Sequence, residues 1–249
     1  MTWLIPILFF VVALLYSMAG FGGGSSYIAL LVVAGLPVST IPLLALLCNL
    51  LVSAQGSALL LWRGHIRPRP LLPLLSGSMP AAFMAGSWRI EEGAYFWILA
   101  FGLTGAGLAL CINVGASEMT RRLPPIILLF IGVLLGSVAG LSGIGGGIFL
   151  SPVLHLLRAD KARQIAGTAS IFIALNSLMG LLGQLTKGPS VFLDDHSSLY
   201  WLCPLAVLLG GQLGSRTLST RLTGPQVRRV TGFLVLAVAA RLWWGIFAA

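Results

Sequence analysis

Two glycine-rich stretches dominate the chemistry that this chain can offer. Gly20-Phe21-Gly22-Gly23-Gly24-Ser25-Ser26 returns 123 residues later as Gly143-Ile144-Gly145-Gly146-Gly147-Ile148-Phe149. Glycine lacks a Cβ and reaches positive φ at little cost, so such a run can open a helix and turn several amide N–H groups toward one small ligand. Short polar side chains gather beside both stretches: Ser25, Ser26, Asn49 and Ser53 in the first half, and Ser142, Thr168, Ser170, Asn176 and Ser177 in the second. On helical spacing Asn49, Ser53 and Ser57 share one stripe, and Ser170 and Ser177 lie seven residues apart on another.

Hydroxyls, amides and backbone N–H groups at the start of half-helices supply donors and positive dipole ends without an acidic ligand. That set suits a small anion held weakly enough to leave. No Asp or Glu lies deep in an apolar segment, which argues against a carboxylate cation site and against a familiar proton relay. The expected substrate-binding set is therefore Gly22, Gly23, Gly24, Ser25, Ser26, Asn49, Ser53, Ser142, Gly143, Gly145, Gly146, Gly147, Thr168, Ser170, Asn176 and Ser177. No catalytic residue, metal ligand or cofactor is expected.

The elements that must position these residues follow from composition. A chain of 249 residues that is 57% hydrophobic and 8% charged, with mean hydropathy +0.99, carries more apolar surface than a soluble core of its size can hide. The expected fold is an all-α polytopic membrane protein, with the lipid bilayer as its main partner. The formal charge of +9 sits in short connections between apolar segments, where it marks topology rather than nucleic acid. Cys48, Cys111 and Cys203 each fall in an apolar segment and read as small hydrophobes. Trp3 to Met18 lacks the flanks of a cleaved signal and is expected to be mature membrane sequence.

Apolar segments run roughly Trp3 to Leu36, Ile41 to Trp62, Leu71 to Trp88, Ala94 to Ile112, Pro124 to Leu157, Ile165 to Leu185, Leu199 to Leu218 and Val227 to Phe247. The last four match the first four: Ser53 and Gly56 fall on Ser177 and Gly180, Arg63-Gly64 on Lys187-Gly188, and Gly86-Ser87 on Gly214-Ser215. Two repeats, 1–119 and 120–249, would then form one integral membrane domain, an architecture typical of transporters. The first segment of each repeat, as one helix, would reach about 50 Å against a hydrocarbon core of about 30 Å. Each is therefore expected to break at its glycines.

Charge placement favours a particular topology. If every segment simply crosses, the basic residues divide evenly between the two faces. If each glycine-broken segment returns to its own side, Arg63, Arg67, Arg69, Arg121, Arg122, Arg158, Lys161, Arg163, Arg221, Arg228 and Arg229 share one face. Glu91, Glu92, Asp194 and Asp195, with Arg89 and Lys187, take the other. The repeats are then inverted, with both chain ends outside.

Other residues invite weaker readings. His155 reads as interfacial or titrating, Arg216 with Gln212 as a snorkelling cation or an anion contact, and Arg89 as a surface cation beside Glu91 and Glu92. Arg241 to Trp244 reads as an interfacial anchor. Gly140-Leu141-Ser142-Gly143 has the G-x-S-G form of an intramembrane serine hydrolase, a remote alternative, because His155 and His196 are not placed in an apolar span as a general base must be.

The run Gly140-Leu-Ser-Gly-Ile-Gly-Gly-Gly-Ile-Phe-Leu-Ser-Pro152, followed by Ala166-Gly-Thr168-Ala-Ser170 and Asn176-Ser177, resembles the TauE/SafE family, also called sulfite exporters. The resemblance covers nearly the whole chain. The first half departs from the pattern at Ser25-Ser26, Ala29 and Leu43 to Asn49. It implies a multi-pass carrier in the cell inner membrane of a prokaryote, moving sulfite, sulfoacetate or related sulfur oxyanions; a transporter or channel for another small solute is the alternative. It also marks Gly145, Gly146, Gly147, Thr168, Ser170, Asn176 and Ser177 as site positions. The sequence carries no sign of oligomeric state, transport direction or coupling ion.

Overall fold

A computed structural model of the chain describes residues 4–18, 22–62, 64, 68–111, 123–157, 162–188, 198–217 and 224–248. Among these residues all regular structure is helical. In chain order the helices are α1 (Leu4–Met18), α2 (Gly24–Val33), α3 (Thr40–Trp62), α4 (Pro68–Ser87), α5 (Glu92–Cys111), α6 (Pro125–Ser142), α7 (Gly147–Leu156), α8 (Ala162–Leu185), α9 (Leu199–Thr217) and α10 (Gly224–Ala248). Thr40–Trp62, Pro125–Ser142 and Gln164–Leu185 are long and apolar enough to cross a membrane by length and composition.

Local chemistry sets the boundaries. The Gly143 N–H closes α6 by bonding the Ala139 carbonyl at 3.0 Å, with φ at 80°. Gly145 and Gly146 follow with φ of 81° and 71°, a left-handed run that side chains resist and that holds α6 apart from α7. Gly23, at φ 100°, does the same ahead of α2. Both long segments are thus broken where the sequence predicts, although Gly20 and Phe21 lie outside the described residues. At 15 and 10 residues, α1 and α2 extend only about 22 and 15 Å, so neither spans a core of about 30 Å if upright.

α3 and α8 form the centre. They cross antiparallel: Leu46 touches Gly180, Asn49 bonds Ser177, and Ser57 bonds Ser170. α4 lies along α6 in the same direction, with Leu74, Ser78 and Ala82 against Gly132, Gly136 and Gly140. There the α6 glycines meet α4 carbonyls directly, so no side chain keeps the backbones apart. α1 lies along α9 likewise, Phe10 and Leu14 against Gly210 and Gly214. The packing interchanges between halves: α4 also touches α8 as α9 touches α3, and α2 rests on α3 and α10 as α7 rests on α8 and α5.

α5 and α10 pair antiparallel through an aromatic cluster of Trp97, Phe101, Trp243 and Phe247. Here the structure modifies a sequence expectation. Trp243 is not a free anchor: its indole N–H donates to Thr104 Oγ1 at 3.0 Å, while Trp244 is exposed. Exposed Leu, Ile, Val, Phe and Trp side chains on α1, α4, α5, α6, α9 and α10 give the bundle an apolar exterior suited to lipid. No charged side chain is buried among the described residues.

Candidate substrate site at the paired glycine breaks

Asn49 joins the two glycine breaks. From the middle of α3 its Oδ1 accepts the Gly24 N–H at 3.0 Å, the first amide of α2. Its Nδ2 donates to the Ile144 carbonyl at 3.3 Å and to Ser177 Oγ of α8 at 2.9 Å. One amide therefore spans both breaks and both central helices, and at 1% exposure it does so out of solvent. The glycines allow this approach: a Cβ at Gly22 would run into Asn49 Oδ1, one at Gly24 into the Ile144 carbonyl, and one at Gly145 into Asn49 Nδ2.

A small cavity lies at the α2 side of this junction, lined by Tyr16, Gly24, Ser25, Asn49, Ile144 and Ile173. Its volume is about 10 Å³, room for one water at most. The Ser25 hydroxyl is buried there with no partner among the described residues. Ser26 is occupied, its Oγ 2.9 Å from the Tyr16 hydroxyl. The Tyr27 hydroxyl, close to Gly23, is likewise buried and unpaired.

The halves differ chemically at this point. In the register expected from the sequence, with Ser53 on Ser177, the position matching Asn49 is Ile173 of α8, which packs on Gly147 as Asn49 packs on Gly24. The α7 start is thus covered by a hydrocarbon and satisfies its Gly147 N–H locally on the Gly145 carbonyl, at 2.9 Å. Only the α2 start meets a polar side chain from the facing helix.

The remaining predicted residues divide in two. Ser53 donates to the Asn49 carbonyl at 2.6 Å, and Ser170, bonded by Ser57, donates to the Ser53 carbonyl at 3.3 Å; both belong to the α3–α8 seam next to the junction. Gly143 sits on Pro42, and Gly146 against Leu135, Ala139 and Phe172. Asn176 turns away, its Nδ2 donating to Ser78 Oγ of α4 at 2.9 Å and to the Phe172 carbonyl at 2.8 Å. Thr168 is buried but makes none of the junction's bonds described above.

Ser142 is spent on its own break. Its hydroxyl donates to the Val138 carbonyl at 2.6 Å and accepts the Ile144 N–H at 3.2 Å, which caps α6 and leaves no poised nucleophile. Arg216 and Gln212 are exposed and make none of the junction's bonds described above. The His155 side chain and His196 fall outside what is described. Tyr16, Ile144 and Ile173 join the site without having been singled out in the sequence; the i, i+4 offset from Ser177 back to Ile173 was the available signal.

A second, larger cavity of about 370 Å³ opens at one end of the bundle. Ser39, Arg89, Glu92, Tyr95, Gln184 and Lys187 line it. The Arg89 guanidinium donates to the Lys187 carbonyl at 2.7 Å, so the connections after α4 and after α8 lie at the same end. Burial, and then the neighbouring Arg89, push the Lys187 amine below its ordinary value.

Against known proteins, the sulfite exporter TauE/SafE family matches residues 5–242. A "Probable membrane transporter protein" of Sinorhizobium fredii is 31% identical over 245 residues, covering 96% of this chain and 97% of that protein. A protein of the same description from Xylella fastidiosa strain Temecula1 is 28% identical over 246 residues, covering 91% and 90%. One from Methanocaldococcus jannaschii is 32% identical over 93 residues, 37% of this chain and 33% of that protein. No solved structure matches. With the family pattern running nearly end to end across a helical bundle of apolar exterior, this chain belongs to the sulfite exporter TauE/SafE family and is a multi-pass membrane transporter.

Proposed function

We propose that this transporter carries small sulfur oxyanions, sulfite or sulfonates such as sulfoacetate, across the inner membrane, binding them at the α2 start between the two glycine breaks. The observation that carries this reading is the donor set there: the Gly24 amide, the unpartnered Ser25 hydroxyl and the Asn49 amide, with no buried charge beside them. Neutral donors at a helix start hold an anion through partial charges, firmly enough to select it and weakly enough to release it. Membership of the family and the names of the relatives support transport; the donor chemistry supports an anion.

In the arrangement described here the site is shut. Asn49 Oδ1 occupies the place on the Gly24 N–H that an oxyanion oxygen would take, and about 10 Å³ remains beside it. Substrate binding then exchanges one acceptor for another: Asn49 swings off Gly24, the anion accepts from Gly24 and Ser25, and Asn49 Nδ2 becomes a further donor. Parting the breaks toward either face is the alternating step. We read the halves as inverted repeats, 1–119 and 120–249, supported by the interchanging contacts, the antiparallel α3–α8 pair and the shared end of α4 and α8.

The test is uptake of labelled sulfite into proteoliposomes of the purified protein, with sulfoacetate, sulfate and chloride as unlabelled competitors. Saturable uptake blocked by sulfoacetate and untouched by chloride is expected. Uptake no greater than in empty vesicles, at several pH values and both membrane polarities, rejects the reading.

A further inference from the structure

The larger cavity is separate from the glycine junction and carries its own charge. Arg89 and Glu92 reach it from the α4–α5 connection and the first turn of α5, Tyr95 from α5, Ser39 from the turn before α3, and Gln184 and Lys187 from the end of α8. Among the described lining residues two cations face one carboxylate. The Lys187 ammonium has three donors and spends one on Gln184 Oε1 at 2.8 Å; the Arg89 guanidinium has five and spends one on the Lys187 carbonyl. Both therefore keep N–H groups for a ligand, and about 370 Å³ is ample for a small oxyanion.

Its position relative to the junction gives the cavity a purpose. Pro42, Tyr95 and Leu141 line its inner wall. On the far side of that wall the Tyr95 hydroxyl donates to the Ser142 carbonyl at 3.3 Å and Gly143 rests on Pro42. One layer of side chains thus separates the cavity from the second glycine break. Gln184 extends the connection, since the amide that accepts from Lys187 donates through Nε2 to the Gly140 carbonyl in the last turn of α6, at 3.3 Å.

We propose that this cavity is a second anion site, a vestibule in which Lys187 and Arg89 capture the sulfur oxyanion before it reaches the glycine junction. A positive mouth with low-dielectric walls raises the local concentration of anions, which a junction built of neutral donors cannot do by itself. The division of labour lets the inner site bind weakly while the outer one collects. The depressed titration of Lys187 agrees, because burial first and then the neighbouring Arg89 disfavour its charge, and an anion bound between the two cations would offset both. The proposal rests on the anion reading of the transporter, and its test separates the two.

Lys187 and Lys161 are the two lysines of the chain, so biosynthetic incorporation of lysine 13C-labelled at Cε places two labels and keeps all three N–H donors of each ammonium. In detergent-solubilised protein, the Lys187 resonance, assigned with Lys161→Arg, is expected to titrate below an ordinary lysine. Adding sulfite or sulfoacetate should move it saturably and raise its titration midpoint, whereas chloride at equal ionic strength should not. Arg89→Gln should raise the half-saturating concentration about tenfold, and Glu92→Gln should lower it. A Lys187 signal that ignores both anions while vesicles take them up overturns the vestibule and leaves the transport reading standing. A saturable Lys187 response in a protein whose vesicles carry no sulfur anion does the reverse. A response that chloride reproduces, or that Arg89→Gln leaves unchanged, also overturns the vestibule.

Discussion

Ser25 and Ser53 carry the same hydroxyl in the same half of the chain, and their surroundings set them different tasks. The Ser53 hydroxyl is bonded to a carbonyl of its own helix, whereas that of Ser25 is buried beside the Gly24 amide with nothing to bond. A hydrogen bond to a charged ligand is worth about 1.5–3 kcal/mol, and among the described residues the resting Ser25 hydroxyl makes none that a substitution could remove. Ser25→Ala should therefore leave stability within about 0.5 kcal/mol and raise KM for sulfite uptake by about tenfold or more. Ser53→Ala should change KM less than about threefold, since its hydroxyl is spent on the Asn49 carbonyl of its own helix. Equal KM effects, measured in proteoliposomes, would remove Ser25 from the site. Asn49→Leu strands Gly24 N–H, the Ile144 carbonyl and Ser177 together, at about 1–3 kcal/mol for each buried group left unpaired. It should abolish uptake and lower the unfolding midpoint in an SDS titration; full uptake with wild-type stability would contradict the bridging role. Residue types were legible in the sequence, but their facing was only half so. Asn176 and Ser177 are neighbours, about 100° apart around a helix, so one can meet Asn49 only if the other points elsewhere. The structure gives α3 to Ser177 and α4 to Asn176.

Among the elements, the α4–α6 seam sets how closely the outer helices clasp the centre. A Cβ at Gly136 would meet the Ser78 backbone, with Cα at 2.7 Å and the carbonyl nearer still. Gly136→Ala should cost about 1–3 kcal/mol, the usual penalty for overpacking a close contact. Gly93, also in a helix, has open space around it, and Gly93→Ala should be neutral or stabilise by up to about 1 kcal/mol. SDS unfolding midpoints of the two variants check this, and equal midpoints would mean that the seam is not close-packed in the bilayer. The breaks themselves were legible, since a run of glycines inside about 34 apolar residues cannot continue one helix across a membrane. The seam was legible too in principle: Gly132, Gly136 and Gly140 recur every four residues, the pattern of close helix approach. What that stripe cannot say is which partner it meets, because many apolar faces of similar width compete for it.

At the scale of the whole molecule, the pairing of α3 with α8 joins the first and second halves of the chain at the centre, and on the proposed alternating reading the carrier shears along this seam. Ser57 and Ser170 touch across it, their oxygens 3.1 Å apart. In a background with Cys48, Cys111 and Cys203 replaced, Ser57→Cys with Ser170→Cys should cross-link on oxidation and arrest sulfoacetate uptake, and a reductant should restore it. Sulfoacetate is the substrate of choice, because sulfite itself cleaves disulfides. Undiminished uptake in fully cross-linked protein would show that the halves do not slide at this seam. Eight apolar segments and their order were legible in the sequence. Their inversion rested on basic residues such as Arg63, Arg67, Arg121, Arg122, Arg158 and Lys161, all outside the described residues, so that count stays an expectation. The link from Arg89 to the Lys187 carbonyl bears on the same question from the opposite end, and no pattern of hydropathy announces it.

The small size of the inner cavity has a consequence for the cell. About 10 Å³ admits a single water, and Tyr16, Ile144, Ile173 and the Asn49 amide close around it. Among the described residues, a lone water at this junction cannot by itself continue a hydrogen-bonded file for protons to hop along. On the proposed reading, a carrier that idles in this form can be abundant without draining the membrane voltage, and its leak current is expected to match that of bare lipid until an anion displaces Asn49 from Gly24.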